Sequence, residues 1–158
     1  MYPDSDSERL PPTSRADITP VPLSLVETDL HRAAERLGDS FRRTGFAVVE
    51  GHGIPEALIT EGRAVAQAFF ALPDAVKRRY HIVGGAGQRG YTPFGIETAK
   101  GALRSDLKEF WHVARDLPPG HPSAGIMAPN LWPDAELPAF RPAMQALFGA
   151  LEGAGRRI

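Results

Sequence analysis

At 158 residues the chain has room for one ordinary domain built on a single core. Hydrophobic residues make up 42% and charged residues 23%, which is apolar enough to fold and excludes a fully disordered chain. A net charge of −1 with both signs interspersed provides no basic field for nucleic acid or an anionic membrane, and the lack of cysteine removes disulfides, thiol catalysis and zinc–thiolate sites together.

The opening MYPDSDSERLPPTSRAD is acidic and proline-rich where a signal peptide needs a basic start and an apolar run. No later stretch approaches membrane-span length, so the default expectation is a soluble cytoplasmic protein. Residues 1–16 read as a flexible tail and 17–158 as the ordered domain. ITPVPLSLV, with Val21, Leu23 and two prolines, suits an edge strand or extended segment. Leu30, Ala33, Ala34, Leu37 and Phe41 recur at helical spacing and predict an amphipathic helix stopped by Gly45. FAVVE, bounded by Gly45 and Gly51, reads as a short buried strand. Pro55 then opens a helix whose face is Leu58, Gly62, Val65, Phe69 and Leu72. Pro73 interrupts it, and Asp74 is expected to cap a brief helix through Tyr80.

After a glycine-dense loop, DLKEFWHVA alternates Leu107, Glu109, Trp111 and Val113 against Lys108, Phe110, His112 and Ala114, the period of a strand. A long proline- and glycine-rich loop from Asp116 to Pro138 follows. Phe140, Met144, Leu147 and Leu151 mark a last helix, beginning near Pro138 or Pro142 and carrying no stop signal before Ile158. Single strands scattered between helices predict an α+β fold.

Gly85, Gly87 and Gly90 spell G-x-G-x-x-G, the spacing that cradles dinucleotide phosphates. Context argues against that use, because a nucleotide loop joins a strand to a helix start, and here YTPFG follows, with Pro93 and Gly95 too close together to begin one. Of the five histidines, none is followed two residues later by Asp or Glu, so the start of a two-histidine, one-carboxylate iron site is missing. Glu109 and His112 form E-x-x-H, which shares one pocket on a helix but points to opposite faces on a strand. Glu27 and His31 read as a surface pair at helical spacing, and Asp106, Glu109 and Asp116 as surface charge. No catalytic constellation is complete.

TGFAVVEGHGIP, AFFALPDAVKRRY, RGY at Arg89–Tyr91, DLKEF at Asp106–Phe110 and NLWP at Asn130–Pro133 occur in an order that resembles the N-terminal region of the non-haem iron(II), 2-oxoglutarate-dependent oxygenases of the isopenicillin N synthase type. The resemblance runs from Ile18 to Ile158, with Gly51 standing where many relatives carry Asn. It implies helices packed with a few strands, leading into a double-stranded β-helix (jelly roll) that this chain lacks. In the family the iron ligands and the Arg-x-Ser clamp for 2-oxoglutarate lie in that jelly roll, so the resemblance implies iron(II) and 2-oxoglutarate for full-length members. It implies no metal ligand, no catalytic residue and no cofactor held by this chain alone. By the same analogy Arg89 and Tyr91 face a small organic substrate, Arg89 forking onto a carboxylate and Tyr91 offering its hydroxyl and ring. The glycines ahead of them would let the loop flex. The expected partner is the jelly roll, or a second copy meeting the apolar stripe of the last helix. A non-catalytic accessory module that keeps the scaffold is the alternative, and a metal protein using Glu109 and His112 a third.

Overall fold

The computed structural model describes residues 18–158, so the expected tail over 1–16 lies outside the described residues. Helices dominate and the strands are few and short, the predicted α+β character. The chain folds as two compact units, one running to Gly53 and including Arg157–Ile158, the other Ile54–Arg156.

In the first unit β1 (Val21–Pro22) lies parallel to β2 (Val49–Glu50), with α1 (Leu25–Thr28) and α2 (Leu30–Thr44) between them in sequence. The amides of Val21 and Leu23 bond to the carbonyls of Val48 and Glu50, both at 2.8 Å. Pro22, with no N–H to give, falls at the position between, which is where a ladder tolerates proline. The extended reading of ITPVPLSLV therefore holds only at its start, since Leu25 already begins a helix. Asp29 caps α2 by accepting from the Arg32 amide at 3.0 Å, and Gly45 ends it at φ 75°, a left-handed conformation that glycine adopts at little cost. Ala33 of the expected face is buried, but Leu30 and Phe41 are more than half exposed.

FAVVE corrects a prediction. Only Val49–Glu50 is strand, and Phe46 is 68% exposed. A strand buried on both faces needs layers above and below, and β2 has a single partner of two residues.

In the second unit α3 (Glu56–Phe70) starts after Pro55 and packs on α5 (Phe140–Gly155) through Gly62, where an added Cβ would stand 2.6 Å from Leu147 Cδ2. Pro73, not Asp74, holds the N-cap position of α4 (Asp74–Lys77), with no side-chain cap, and Asp74 sits in the first turn and accepts from Arg78 Nε at 2.6 Å. The chain then tightens into a 3-10 turn, Arg78–Tyr80, where one continuous helix was predicted. β3 (Gly90–Thr92) and β4 (Phe110–His112) form an antiparallel pair. The strand predicted over DLKEFWHVA shrinks to three residues because its partner is only three long and is followed by Pro93, which cannot donate to a ladder. The last helix ends at Gly155 rather than running to Ile158; Gly149, Gly153 and Gly155 weaken its final turns. Phe69, Tyr91 and Phe140, all fully buried, form the core, with Phe69 edge-on to Trp111 at 4.6 Å between ring centroids.

Candidate functional site

β3 and β4 pair with Gly90 opposite His112, Tyr91 opposite Trp111 and Thr92 opposite Phe110. Strand parity therefore divides the pair into a core side, with Tyr91 and Trp111, and a loop side, with Thr92, Phe110 and His112.

On the core side the Tyr91 hydroxyl donates to Glu109 Oε2 at 2.5 Å, and the Lys77 ammonium donates to the same oxygen at 2.7 Å. Lys77 also reaches the Phe70 carbonyl at 3.4 Å and lies 5.6 Å from the centre of the Tyr91 ring. Two charges this deep persist because each answers the other and the phenol takes up a further lone pair. Burial, and then the bond to Glu109, hold the Tyr91 phenol above its ordinary titration range, so it stays a neutral donor. The expectation of Glu109 as surface charge is overturned: it shares the inward parity of Trp111, and that parity was its sequence signal. Lys77, 32 residues away, had none. A second phenol behaves alike, Tyr80 donating to Glu136 and being pushed up to about 12 by burial first. That bond is the chief cause holding the Glu136 carboxyl below its ordinary range.

The loop side faces the glycines. The Gly85 amide bonds to the Ile82 carbonyl and the Gln88 amide to the Gly85 carbonyl, each at 3.1 Å, which makes two consecutive turns. His112 Nδ1 fastens the Gly87 carbonyl. At Gly90, with φ 68°, an added Cβ would sit 2.5 Å from the Tyr80 carbonyl oxygen, so this glycine answers a packing need rather than the expected need to flex. The loop enters a strand and no helix starts on it, so the geometry that would cradle a dinucleotide is missing.

Arg89, 7% exposed, donates from Nε to the Ala128 carbonyl at 3.0 Å and from Nη1 to that of Gln88 at 2.6 Å. Among the described residues Nη2 has no acceptor, and Arg89 lines a cavity of about 240 Å³ with Gly85, Gln88 and Ile126. A larger groove of about 410 Å³ runs between α3, β4 and α5, walled by Phe70, Trp111, Met144, Leu147 and Phe148. The Trp111 indole N–H is buried beside it without an acceptor.

The structure does not join the other predicted pairs. Glu109 points into the core while His112 is exposed, so E-x-x-H forms no common site. His31 pairs with Glu35 at 3.3 Å, and Glu27 with Arg157 at 2.8 Å, because the chain breaks helix at Asp29 between positions 27 and 31. Asp106 meets Lys108 at 3.5 Å, and Asp116 accepts from Asn130 at 2.7 Å and Gln145 at 2.9 Å. Among the described residues no three His, Asp or Glu side chains gather closely enough to hold a metal ion, so they do not fit an iron centre. Among them, too, no helix is long and apolar enough to cross a membrane.

Residues 17–135 match the family model described as the N-terminal domain of non-haem dioxygenases in morphine synthesis. The chain is 32% identical over 126 residues to homoarginine-6-hydroxylase 2-ODD-233 of Oryza sativa subsp. japonica, covering 74% of this chain and 38% of the relative. It is 37% identical over 113 residues to the 2-oxoglutarate-dependent dioxygenase citB of Monascus ruber, covering 66% and 33%. A solved structure from Caulobacter crescentus, assigned to the 2OG-Fe(II) oxygenase family, superposes with a TM-score of 0.75 at 50% identity, covering 89% of this chain and 46% of that one. The chain thus spans about a third of the curated relatives and under half of the solved one. With Tyr91 and Glu109 seated in the RGY and DLKEF segments that first pointed there, the chain belongs to the non-haem dioxygenase N-terminal family, the N-terminal domain of the 2-oxoglutarate- and iron(II)-dependent oxygenases.

Proposed function

We propose that this chain is the substrate-side part of an iron(II)- and 2-oxoglutarate-dependent oxidoreductase acting on a small organic molecule, inactive when isolated. The observation that carries the reading is the family match over residues 17–135, set beside a donor set that offers iron no three ligands among the described residues. The metal and the keto acid belong, in this reading, to the part of the relatives' length that these 158 residues do not span. Iron and 2-oxoglutarate would supply the oxidation there; the residues here orient the substrate. Arg89 directs Nη2 at a substrate carboxylate, Nε and one N–H of Nη1 being spent on carbonyls, while Tyr91 acts as a positioning residue that holds β3 against Glu109. The groove between α3 and α5 is the surface that the jelly roll covers; without it the isolated chain is marginally stable or associates through α5, where Leu151 is 54% exposed. Cytoplasmic residence belongs to the same reading.

Oxygen uptake tests it. The chain mixed anaerobically with ferrous ion and 2-oxoglutarate, then exposed to oxygen, is expected to consume no more than the buffer control. Stoichiometric uptake by the chain alone overturns the proposal.

A further inference from the structure

On the loop side of β3 lies a cavity of about 490 Å³, lined by His81, Thr92, Ile96, Glu97 and Thr98 together with the glycine loop. Its volume suits a small organic ligand. Thr92 is 1% exposed and its hydroxyl has no hydrogen-bond partner, a state that costs free energy unless something supplies one. That hydroxyl lies under Gly87, where an added Cβ would come within 3.1 Å of it, and Gly87 is itself part of the lining.

Two of the other polar side chains in the lining, His81 and Glu97, offer acceptors. His81 Nδ1 lies 3.1 Å from the Tyr91 carbonyl, which only accepts, so Nδ1 is the donor there and, in the Nδ1–H tautomer, Nε2 is an acceptor. Glu97 is held through Oε2 by Lys108 at 2.7 Å, leaving Oε1 as an acceptor. The lining holds no Lys or Arg, whereas the neighbouring 240 Å³ cavity has Arg89. Ile82, Val83 and Ile96 furnish apolar wall.

From these observations we propose that the cavity binds the hydrogen-bond-donating end of the substrate, an ammonium or hydroxyl group on an apolar body, and rejects an anionic end. Calling that ligand the substrate rests on the oxygenase reading; the binding itself does not.

The test uses three probes with one body and different ends, 2-phenylethylamine, 2-phenylethanol and phenylacetate, titrated to about 10 mM into the ¹⁵N-labelled 158-residue chain and followed by amide chemical shifts. The amine and the alcohol are expected to shift the signals of Thr92, Gly87 and Thr98, with phenylacetate at least tenfold weaker there. Thr92→Val, close in shape, is expected to weaken the alcohol roughly fivefold. Glu97→Gln, at a site exposed enough to spare the fold, is expected to weaken the amine and leave the alcohol unchanged. Phenylacetate shifting the same signals at equal concentration overturns the proposal, as does the absence of any shift there up to the highest concentration. No iron, keto acid or turnover enters this measurement, so its failure leaves the oxygen-uptake result standing, and the reverse also holds.

Discussion

The two units use similar sequence patterns and reach different interiors. In the unit that runs to Gly53, apolar side chains recur at helical and strand spacing, yet the buried hydrophobics among the described residues are Val21, Leu23 and Ala33, while Leu30, Phe41 and Phe46 stand in solvent. In the unit from Ile54 to Arg156, three aromatic side chains are fully buried and a ring of partly buried ones closes around them. Periodicity decides which residues share a face. Whether that face becomes a core depends on a second element of matching size arriving opposite it, as α5 does for α3 at Gly62.

The largest effect expected from this contrast is at Phe69. Phe69→Ala removes a ring packed against Phe70, Tyr80, Tyr91, Trp111 and Phe140, and should cost about 3–5 kcal/mol by chemical denaturation. A loss near that of an exposed position would mean that the aromatic cluster is not the core of its unit. Next comes the buried ion pair. Glu109→Ala strands the Lys77 ammonium and the Tyr91 hydroxyl together, with an expected loss of roughly 3 kcal/mol. Lys77→Met combined with Glu109→Gln, which keeps an acceptor for Tyr91 and removes both charges, should recover most of it; failure to recover would place the importance of Glu109 elsewhere.

The phenols sharpen the comparison by pH. A tyrosine whose folded pKa stands above its unfolded value, near 10, favours the neutral form, so its contribution is whole below about pH 10 and is lost as pH climbs through the folded value, about 12 for Tyr80. Stability should therefore fall between those limits and on upward for Tyr91, and Tyr80→Phe should flatten the slope. A slope unchanged by that substitution contradicts the assignment. The smallest effect is expected in the other unit, where Phe41→Ser should move stability by no more than about 0.5 kcal/mol. A loss of 2 kcal/mol or more would show that Phe41 is covered in solution.

Much of the fold was legible before any coordinates. The helix from Leu30 ends at Gly45 as its capping glycine requires, the helix after Pro55 buries Gly62 and Phe69 from its predicted face, and the wording around RGY and DLKEF pointed to the family. The site was less legible. Alternation placed Glu109 in phase with Trp111, but a carboxylate read alone is a surface residue until its counter-charge is known, and Lys77 arrives from 32 residues away. The glycine loop offered a nucleotide spacing that its flanks denied, and the reason for Gly90, a carbonyl 2.5 Å from where a side chain would begin, exists only once Tyr80 and β3 are brought together.

By itself the sequence determined the local elements, their facing residues and the family, because helix and strand periods, proline and glycine act over a few neighbouring residues. Only the tertiary structure decided which apolar faces close, that Lys77, Glu109 and Tyr91 meet, and that Thr92 is left with an unanswered hydroxyl. Those outcomes depend on contacts between residues far apart in the chain, and on the burial that turns an ordinary charge or hydroxyl into one that must find a partner.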